Sequence, residues 1–319
     1  MIIFFETEES AKRVLRFHEA LDRNWMADGE KKEDILHSGI EERQRDLRRR
    51  LINYCRANKH KRGLPSLYRF QVIESPPIVF CMVPRIASRQ WRATFKQLRQ
   101  QAGQRLSNLD QYVFTDVWNY LHKSYKIMFV REPFDWLLSA YKDKFASTRT
   151  VDRYMLETYG RKIIRKFRPN ATKRALEVGD DVTFPEFIEY ILKEGIHEQL
   201  NWHWNTYDDQ CRPCSVDFNF IGRFESLARD ARYALKKAGV LNFTQFPTNS
   251  NYPKRRDELI KHYSQIPPEW IMELGRVYRS SFEMFGYPFP GPLKVLLKND
   301  TGQTGNSGHS GIAGQTGNP

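Results

Sequence analysis

The stretch IVFCMVPRIASRQW, residues 78–91, joins an apolar run to a proline, two arginines and a serine. Its first six residues, IVFCMV (78–83), are typical of a buried parallel strand. A second apolar run, KIMFV (126–130), repeats the pattern, and a predicted helix follows each run. Strands that alternate with helices in this way indicate an α/β domain.

Residues 38–57 are predicted to form an amphipathic helix. Ser38 and Glu41 fit a capping box, and one stripe of the helix carries Ile40, Leu47, Leu51 and Cys55. The opposite face is basic, with Arg43, Arg45, Arg48, Arg49, Arg50 and Arg56. This face has two interpretations, a binding site for an acidic polymer or an ordinary solvated surface.

Three later segments carry clear signals of secondary structure. A helix with Pro133 in its first turn is predicted after the second apolar run. Thr183 and Glu186 form another capping box, which predicts a further helix. The segment FNFIGRFE (218–225) is predicted to be a strand that leads into a helix ending at Gly239. From Asn299 onward the composition turns to Gly, Thr, Gln, Asn and Ser, so we expect a disordered tail.

Composition limits the classes of partner. The 319 residues include 51 Lys and Arg against 38 Asp and Glu, a net charge of +13, which favours polyanionic partners. No apolar run is long enough for a membrane span. A secretory signal pattern is also lacking, which leaves either a cytosolic protein or an N-terminal targeting segment missing from this sequence.

Cysteines and sequons bear on the compartment. Four cysteines allow three pairings, and the single Cys-x-x-Cys at Cys211 and Cys214 is a weak metal signal. Sequons at Asn170, Asn242 and Asn299 would matter in the secretory pathway.

The loop after the first strand has the residues of a phosphate site. In parallel α/β folds, ligands gather beyond the carboxyl ends of strands, where a helix N-terminus offers free N–H groups. A Walker loop is absent, which argues against an ordinary ATPase or GTPase, and a kinase lacks its motifs here as well. What is present is Pro84, followed by the donors Arg85, Ser88 and Arg89.

This loop resembles the 5′-phosphosulfate loop of the Golgi carbohydrate sulfotransferases, in the branch that includes the chondroitin and dermatan 4-O-sulfotransferases. Cys81, Val83, Pro84 and Trp91 are in register with that loop. The sequence departs from it at Arg85, Ala87, Ser88, Arg89 and Gln90.

Other motifs occur in the order of this family. They are VREPFDWLLSAYKDKF (130–145), which is similar to the 3′-phosphate motif, YGRKIIRKFRPNA (159–171), the histidine and tryptophan at 203–204, CRPC (211–214), FNFIGRFESLARDA (218–231) and VYRSSFEMFGYPF (277–289). The sequence is therefore identified as similar to this family over most of its length.

The resemblance implies an α/β, P-loop-like sulfotransferase fold with a central parallel sheet flanked by helices. We expect a basic helical lead-in over 1–64, the sulfotransferase domain over 65–297 and the disordered tail over 298–319. The implied co-substrate is 3′-phosphoadenosine 5′-phosphosulfate (PAPS), with no metal. The implied acceptor is an acidic or hexosamine-containing glycan and not nucleic acid. The implied location is the Golgi lumen, behind a type II membrane anchor that this sequence does not show.

The resemblance also implies roles for particular residues. Arg85 is the candidate for neutralising the leaving oxygen, and His203 is the candidate general base. Arg131 and Ser139 are the candidate 3′-phosphate ligands. The predicted donor-binding residues are Pro84, Arg85, Ile86, Ala87, Ser88, Arg89, Gln90, Trp91, Arg131 and Ser139.

Each role has an alternative. Arg131 would otherwise pair with Glu132 or Asp135 on the surface, and His203 would be packed in place with Glu132 or Glu186 as the base. Because a Cβ at positive φ is costly, we expect the loop to grip a phosphosulfate provided that Ala87 avoids that conformation. In an oxidising lumen the cysteines would form disulfides, with pairings left open. A non-catalytic polyanion-binding relative with a drifted loop is the alternative function.

Overall fold

A four-stranded sheet carries the predicted loop. The strands are β1 Phe70–Ile73, β2 Ile78–Cys81, β3 Tyr125–Val130 and β4 Phe220–Arg223, in the order β1-β2-β3-β4. The strands β2, β3 and β4 are parallel, which confirms the predicted parallel sheet, and β1 adds an antiparallel edge beside β2. The sequence did not predict β1, because its four residues are too few to show a period of two.

The computed structural model describes residues 38–59, 63–64, 66–147, 152–194, 201–244, 246 and 255–297. The predicted disordered tail (298–319) and most of the predicted lead-in lie outside the described residues, as does the sequon at Asn299.

Helices connect and cover the strands. They are α1 38–57, α2 Ser88–Gln101, α3 Phe114–Lys123, α4 Pro133–Lys144, α5 Arg153–Met155, α6 Arg161–Phe167, α7 Lys173–Val178, α8 Phe184–Glu194, α9 Tyr207–Cys211, α10 Leu227–Lys237, α11 Arg255–Tyr263, α12 Pro268–Val277 and α13 Arg279–Phe285. A π-helical turn, Leu156–Gly160, separates α5 from α6.

The predicted capping box at the start of α8 and the predicted glycine stop after α10 are both confirmed. At the start of α8, the Thr183 N–H donates to Glu186 Oε2 at 2.8 Å and the Glu186 N–H donates to Thr183 Oγ1 at 3.4 Å. The helix α10 ends at Lys237, and Gly239 follows with φ of 74°. Both boundaries are therefore set locally, by side-chain capping and by glycine.

An aromatic core lies between the sheet and α2. Trp91 of α2 is fully buried, with its ring centroid 4.5 Å from that of Phe80 on β2 and 4.9 Å from that of Phe129 on β3. Gly222 on β4 stands opposite Phe129, and a Cβ there would lie 2.2 Å from the Phe129 ring. The absence of a side chain at Gly222 is what lets Phe129 lie across β4.

The predicted helix α1 is attached to the edge strand β4 and to α10. The Gln44 side chain exchanges two hydrogen bonds with the backbone of Ile221. Arg43 forms an ion pair of 2.6 Å with the fully buried Asp230 of α10, so this basic residue is half-buried and paired rather than fully solvated.

The chain divides into two compact units. The first comprises Met1–Ala140, Glu198–Tyr252 and Tyr278–Tyr287, and it contains the sheet. The second comprises Tyr141–His197, Pro253–Val277 and Pro288–Pro319, and its described part is helical, with Phe184, Phe187 and Tyr263 in its core. The division predicted from sequence stays a prediction.

Among the residues with described structure, no helix has the length and apolar character that crossing a membrane requires.

Candidate functional site

The carboxyl ends of β2 and β3 lie side by side. These strands pair in parallel with Cys81 opposite Met128, so the segments that follow them emerge at the same edge of the sheet. The segment after β2 is the predicted loop leading into α2, and the segment after β3 carries Arg131 into α4. The fold thus brings the two predicted phosphate motifs to one place.

The loop adopts a left-handed backbone at two residues without glycine. Arg85 has φ of 64°, and Ala87, the N-cap of α2, has φ of 54° and ψ of 31°. From the sequence, the loop is expected to grip a phosphosulfate only if Ala87 avoids positive φ, and Ala87 does not avoid it. Each such residue costs about 1–2 kcal/mol, so packing elsewhere must hold the turn.

Buried side chains of Trp136, Ile86 and Trp91 fix the conformation of the loop. The Trp136 indole Nε1–H of α4 donates to the Pro84 carbonyl at 2.9 Å, and both residues are buried. Ile86 is 2% exposed and Trp91 is fully enclosed in the core. The side chains of Ile86 and Trp91 therefore fix the turn, while Ser88 is half-buried and Arg89 and Gln90 are exposed.

Helix α2 begins with backbone N–H groups that have no acceptor among the residues of described structure. Its N-cap is alanine, which has no side-chain acceptor, so no side chain of Ala87 caps the first N–H groups. The first intrahelical bond from this end runs from the Trp91 N–H to the Ala87 carbonyl at 3.0 Å. The N–H groups of Ser88, Arg89 and Gln90 and the positive end of the helix dipole are suited to an anion.

The predicted residues of the two motifs contact each other. Arg85 Nε donates to Ser139 Oγ at 3.2 Å, and Arg131 Nη1 donates to the Arg85 carbonyl at 3.1 Å. Arg85, Arg131 and Ser139 therefore form one cluster, in which the Arg131 guanidinium contacts the Arg85 backbone and the Arg85 guanidinium contacts the Ser139 hydroxyl.

Arg131 also pairs with Asp135, the partner that the alternative interpretation named. Its Nε and Nη2 donate to the two Asp135 oxygens at 2.6 and 2.7 Å. The pair is buried rather than on the surface, with the side chains 4% and 8% exposed. These bonds fix the orientation of the Arg131 guanidinium group. Its three hydrogen bonds to described residues use three of its five N–H groups.

Glu132 caps the start of α4 and is enclosed. Its Oε2 accepts the Asp135 N–H at 2.7 Å, and its own N–H donates to Glu225 Oε1 at 2.7 Å. Burial raises the pKa of Glu132 to about 8 and also raises the pKa of Glu225. A carboxyl group protonated at neutral pH is a poor general base, so the geometry does not favour Glu132 in that role.

Glu186, the other alternative base, is engaged within the second unit. It receives two hydrogen bonds from Arg168, at 2.6 and 2.8 Å, in addition to capping α8. Burial alone would raise the pKa of Glu186, but the hydrogen bonds from Arg168 and Thr183 outweigh burial and lower it. These contacts give Glu186 a structural role.

His203 is buried, and its tautomer is set by Asn201. The Asn201 Oδ1 accepts the backbone N–H of His203 at 3.0 Å, which identifies that atom as the oxygen, and it lies 2.8 Å from His203 Nδ1. Nδ1 therefore carries the proton in the neutral ring, and Nε2 carries the lone pair. This is the form that a general base requires at Nε2.

Contacts link His203 to the start of the loop. The His203 ring centroid lies 3.8 Å from that of Trp202, and the Trp202 ring lies 4.5 Å from Arg69 Cζ. The Arg69 carbonyl accepts the N–H of Met82, the residue after β2, at 2.9 Å. The candidate base therefore stands near the same edge of the sheet as the loop.

The short helix α9 joins the two strand ends, and sequence reasoning missed this role. The Tyr207 hydroxyl accepts the Arg131 N–H at 2.8 Å and donates to the Arg131 carbonyl at 3.1 Å. At the other end of α9, Cys211 forms a disulfide with Cys81 at the end of β2. The CRPC motif was the signal for this element, but spacing alone could not reveal its partner.

Both cysteines of that motif are paired across the chain. The disulfides are Cys81–Cys211 and Cys55–Cys214, and the second ties α1 to the segment after α9. Within the described ranges, no group of His, Cys, Asp and Glu side chains is arranged to hold a metal ion.

Comparison with known proteins gives a consistent picture. A family model described as the sulfotransferase family matches residues 68–288. Carbohydrate sulfotransferase 11 of Rattus norvegicus is 34% identical over 273 residues, which cover 78% of this chain and 77% of that protein. No solved structure matches this chain.

Two further relatives are similar at lower coverage or identity. Carbohydrate sulfotransferase 14 of Danio rerio is 33% identical over 229 residues, covering 66% of this chain and 60% of that protein. Carbohydrate sulfotransferase 8 of Mus musculus is 28% identical over 290 residues, covering 85% of this chain and 67% of that protein.

Proposed function

Because the chain belongs to the sulfotransferase family, we propose that it transfers a sulfo group from PAPS to a sugar hydroxyl of a glycan. The observation that carries this proposal is the cluster of Arg85, Arg131 and Ser139 at the ends of two adjacent parallel strands. Such a cluster supplies positive charge and hydroxyl donors for a ligand with phosphate groups at two positions.

The proposed division of labour follows the two strand ends. The N–H groups at the start of α2 and the Arg85 guanidinium bind the 5′-phosphosulfate. Ser139 and the remaining N–H groups of Arg131 bind the 3′-phosphate. Asp135 keeps the Arg131 fork in a single orientation, so that little rotamer entropy is lost on binding.

In the reaction, the acceptor hydroxyl oxygen forms a bond to sulfur as the bond from sulfur to the 5′-phosphate oxygen breaks. His203 Nε2 takes the hydroxyl proton, and the negative charge that grows on the leaving phosphate is stabilised by Arg85 and the α2 N–H groups. The contribution of the protein is mainly position and charge, as in phosphoryl transfer.

We propose the Golgi lumen as the site of action and an acidic, hexosamine-containing glycan as the acceptor. Two disulfides in the described part of the chain support an oxidising compartment. The net charge of +13 supports an acidic acceptor. Nothing in the geometry or the comparisons favours the non-catalytic alternative.

Sulfo transfer from labelled PAPS to desulfated glycans tests the proposal. We expect Arg85→Ala and His203→Ala each to lower kcat at least about a hundredfold, the usual scale for losing a charge stabiliser or a general base. The exposed His122 on α3 supplies a control, since His122→Ala should retain the wild-type rate. Equal rates in wild type and Arg85→Ala would remove Arg85 from the mechanism.

A further inference from the structure

Beside the candidate base lies a stack of aromatic and cationic side chains that the mechanism does not use. Arg69, the residue before β1, lies between two rings, with its Cζ 4.8 Å from the Tyr68 centroid and 4.5 Å from the Trp202 centroid. Trp202 in turn contacts His203. The order along the stack is therefore tyrosine, arginine, tryptophan and histidine.

The positive charge in this stack has no acidic partner among the described residues. Arg69 is 6% exposed, and within the described part of the chain its side chain contacts the two rings and the Tyr68 hydroxyl. Burial lowers the pKa of Arg69, partly offset by Tyr68, and the charge of Arg92 lowers it further. Ring faces compensate such a charge only in part, so an anion at this place would be stabilised.

Arg69 is buried, so an anion in solvent would contact the exposed Tyr68, whose hydroxyl is hydrogen-bonded to Arg69. Arg69 Nη2 donates to it at 2.7 Å, which occupies the oxygen as an acceptor and leaves its O–H to donate elsewhere. A hydroxyl polarised by a guanidinium is a stronger donor. Tyr68 is 49% exposed and Trp202 is 38% exposed, so both rings that contact Arg69 present part of their surface to solvent.

We propose that Tyr68, Arg69 and Trp202 form a subsite for the carboxylate-bearing sugar of the acceptor glycan, next to the sugar whose hydroxyl faces His203. This inference rests on the proposed function, and it specifies which acceptors that function takes. Exposed aromatic rings offer apolar faces on which a sugar ring packs, and the polarised hydroxyl binds its carboxylate. We assign the carboxylate to a uronate, because an acceptor polymer carries uronates before any sulfation.

The test compares chondroitin with carboxyl-reduced chondroitin, in which the uronates are neutral sugars. For the wild type we expect KM to be about tenfold lower for chondroitin, the scale of one hydrogen bond to a charged group, with similar kcat. Tyr68→Phe keeps the ring that packs on Arg69 and removes the hydroxyl, which is also the acceptor of an Arg69 N–H, so urea unfolding is used to check that the variant folds. It should raise KM for chondroitin about tenfold and leave KM for the reduced polymer unchanged, and Arg69→Gln should act in the same direction.

Matched controls separate this effect from general loss of stability or charge. Tyr154 is 65% exposed in the second unit, and Arg99 on α2 is a partly buried arginine that donates to Gln71. Tyr154→Phe and Arg99→Gln should leave the ratio of the two KM values unchanged. If Tyr68→Phe alters KM equally for both polymers, or for neither, the subsite is wrong.

A binding measurement keeps this result distinct from the proposed function. The Kd of each polymer is measured by calorimetry with 3′,5′-adenosine bisphosphate present. Preference for chondroitin that Tyr68→Phe abolishes, without any sulfo transfer, would support the subsite and contradict the enzymatic function. Sulfo transfer without carboxylate preference would support the function and overturn the subsite.

Discussion

At the scale of single residues, Ala87 stands in a conformation that favours glycine. Its φ of 54° is imposed by the turn that aims the start of α2 at the candidate site, and the buried Ile86 and Trp91 hold it there. The sequence identified Ala87 as the position of concern, but it could not show whether the turn was left-handed. Backbone conformation depends on packing that the local sequence does not encode.

Replacing Ala87 by glycine should therefore stabilise the protein. We expect Ala87→Gly to raise the free energy of unfolding by about 0.5–1 kcal/mol, because the steric cost at positive φ exceeds the entropy that glycine adds to the unfolded chain. Urea unfolding measures the change. Ala102, which has φ of −82° at the end of α2, is the matched control, since Ala102→Gly should destabilise. A loss of stability in both variants would contradict a strained turn.

The enclosed Glu132 predicts a dependence of stability on pH. Its pKa is about 8 in the folded protein against an ordinary value of 4.5. Between these values the unfolded chain binds fewer protons than the folded chain, so the free energy of unfolding falls as pH rises. Glu132→Gln removes this titration while keeping an oxygen for the Asp135 N–H. The free energy of unfolding of Glu132→Gln, minus that of the wild type, should therefore increase by at least about 1 kcal/mol as pH rises from 5.5 to 8.

Urea unfolding of both proteins at the two pH values measures that gain. Glu186→Gln serves as the control, because the pKa of Glu186 is lowered and its contribution is constant above pH 5.5. A difference between Glu132→Gln and wild type that does not change with pH would show that Glu132 does not titrate in this range.

At the scale of elements, α9 is the piece that the sequence could not foresee. Five residues show no helical period, and the pairing of Cys211 with Cys81 spans 130 residues of chain. The strands and the longer helices were predictable, because apolar runs, capping boxes and glycine stops act locally. The hydrogen bonds of Tyr207 to Arg131 depend on the tertiary fold alone.

The two disulfides should differ in their effect on ligand binding. Replacing either pair by alanine should lower the free energy of unfolding by about 2–5 kcal/mol, because both close long loops. Only Cys81→Ala with Cys211→Ala should also weaken binding of 3′,5′-adenosine bisphosphate, since that pair joins α9 to the end of β2. Calorimetry at a temperature where both variants are folded makes the comparison. Equal weakening by the two pairs would contradict a specific role for α9.

At the scale of the whole molecule, the first unit holds every residue of the proposed site. The resemblance implied a set of candidate site residues, whose roles stay a prediction, and the structure brings Arg85, Arg131 and Ser139 of that set into contact. The sequence left open whether Arg131 was buried or on the surface, since an i, i+4 carboxylate is compatible with both. Its burial follows from α9 and Phe224, which cover it from distant parts of the chain.

The central claim is that this cluster binds both phosphate groups of an adenosine donor, and calorimetry tests it most directly. The difference between the affinities for 3′,5′-adenosine bisphosphate and for adenosine 5′-phosphate gives the contribution of the 3′-phosphate to binding. We expect the bisphosphate to bind at least about tenfold more tightly to the wild type, the scale of charge-assisted hydrogen bonds, and Ser139→Ala to narrow that ratio. Equal affinity of the wild type for the two nucleotides, or no binding of either, would contradict the account.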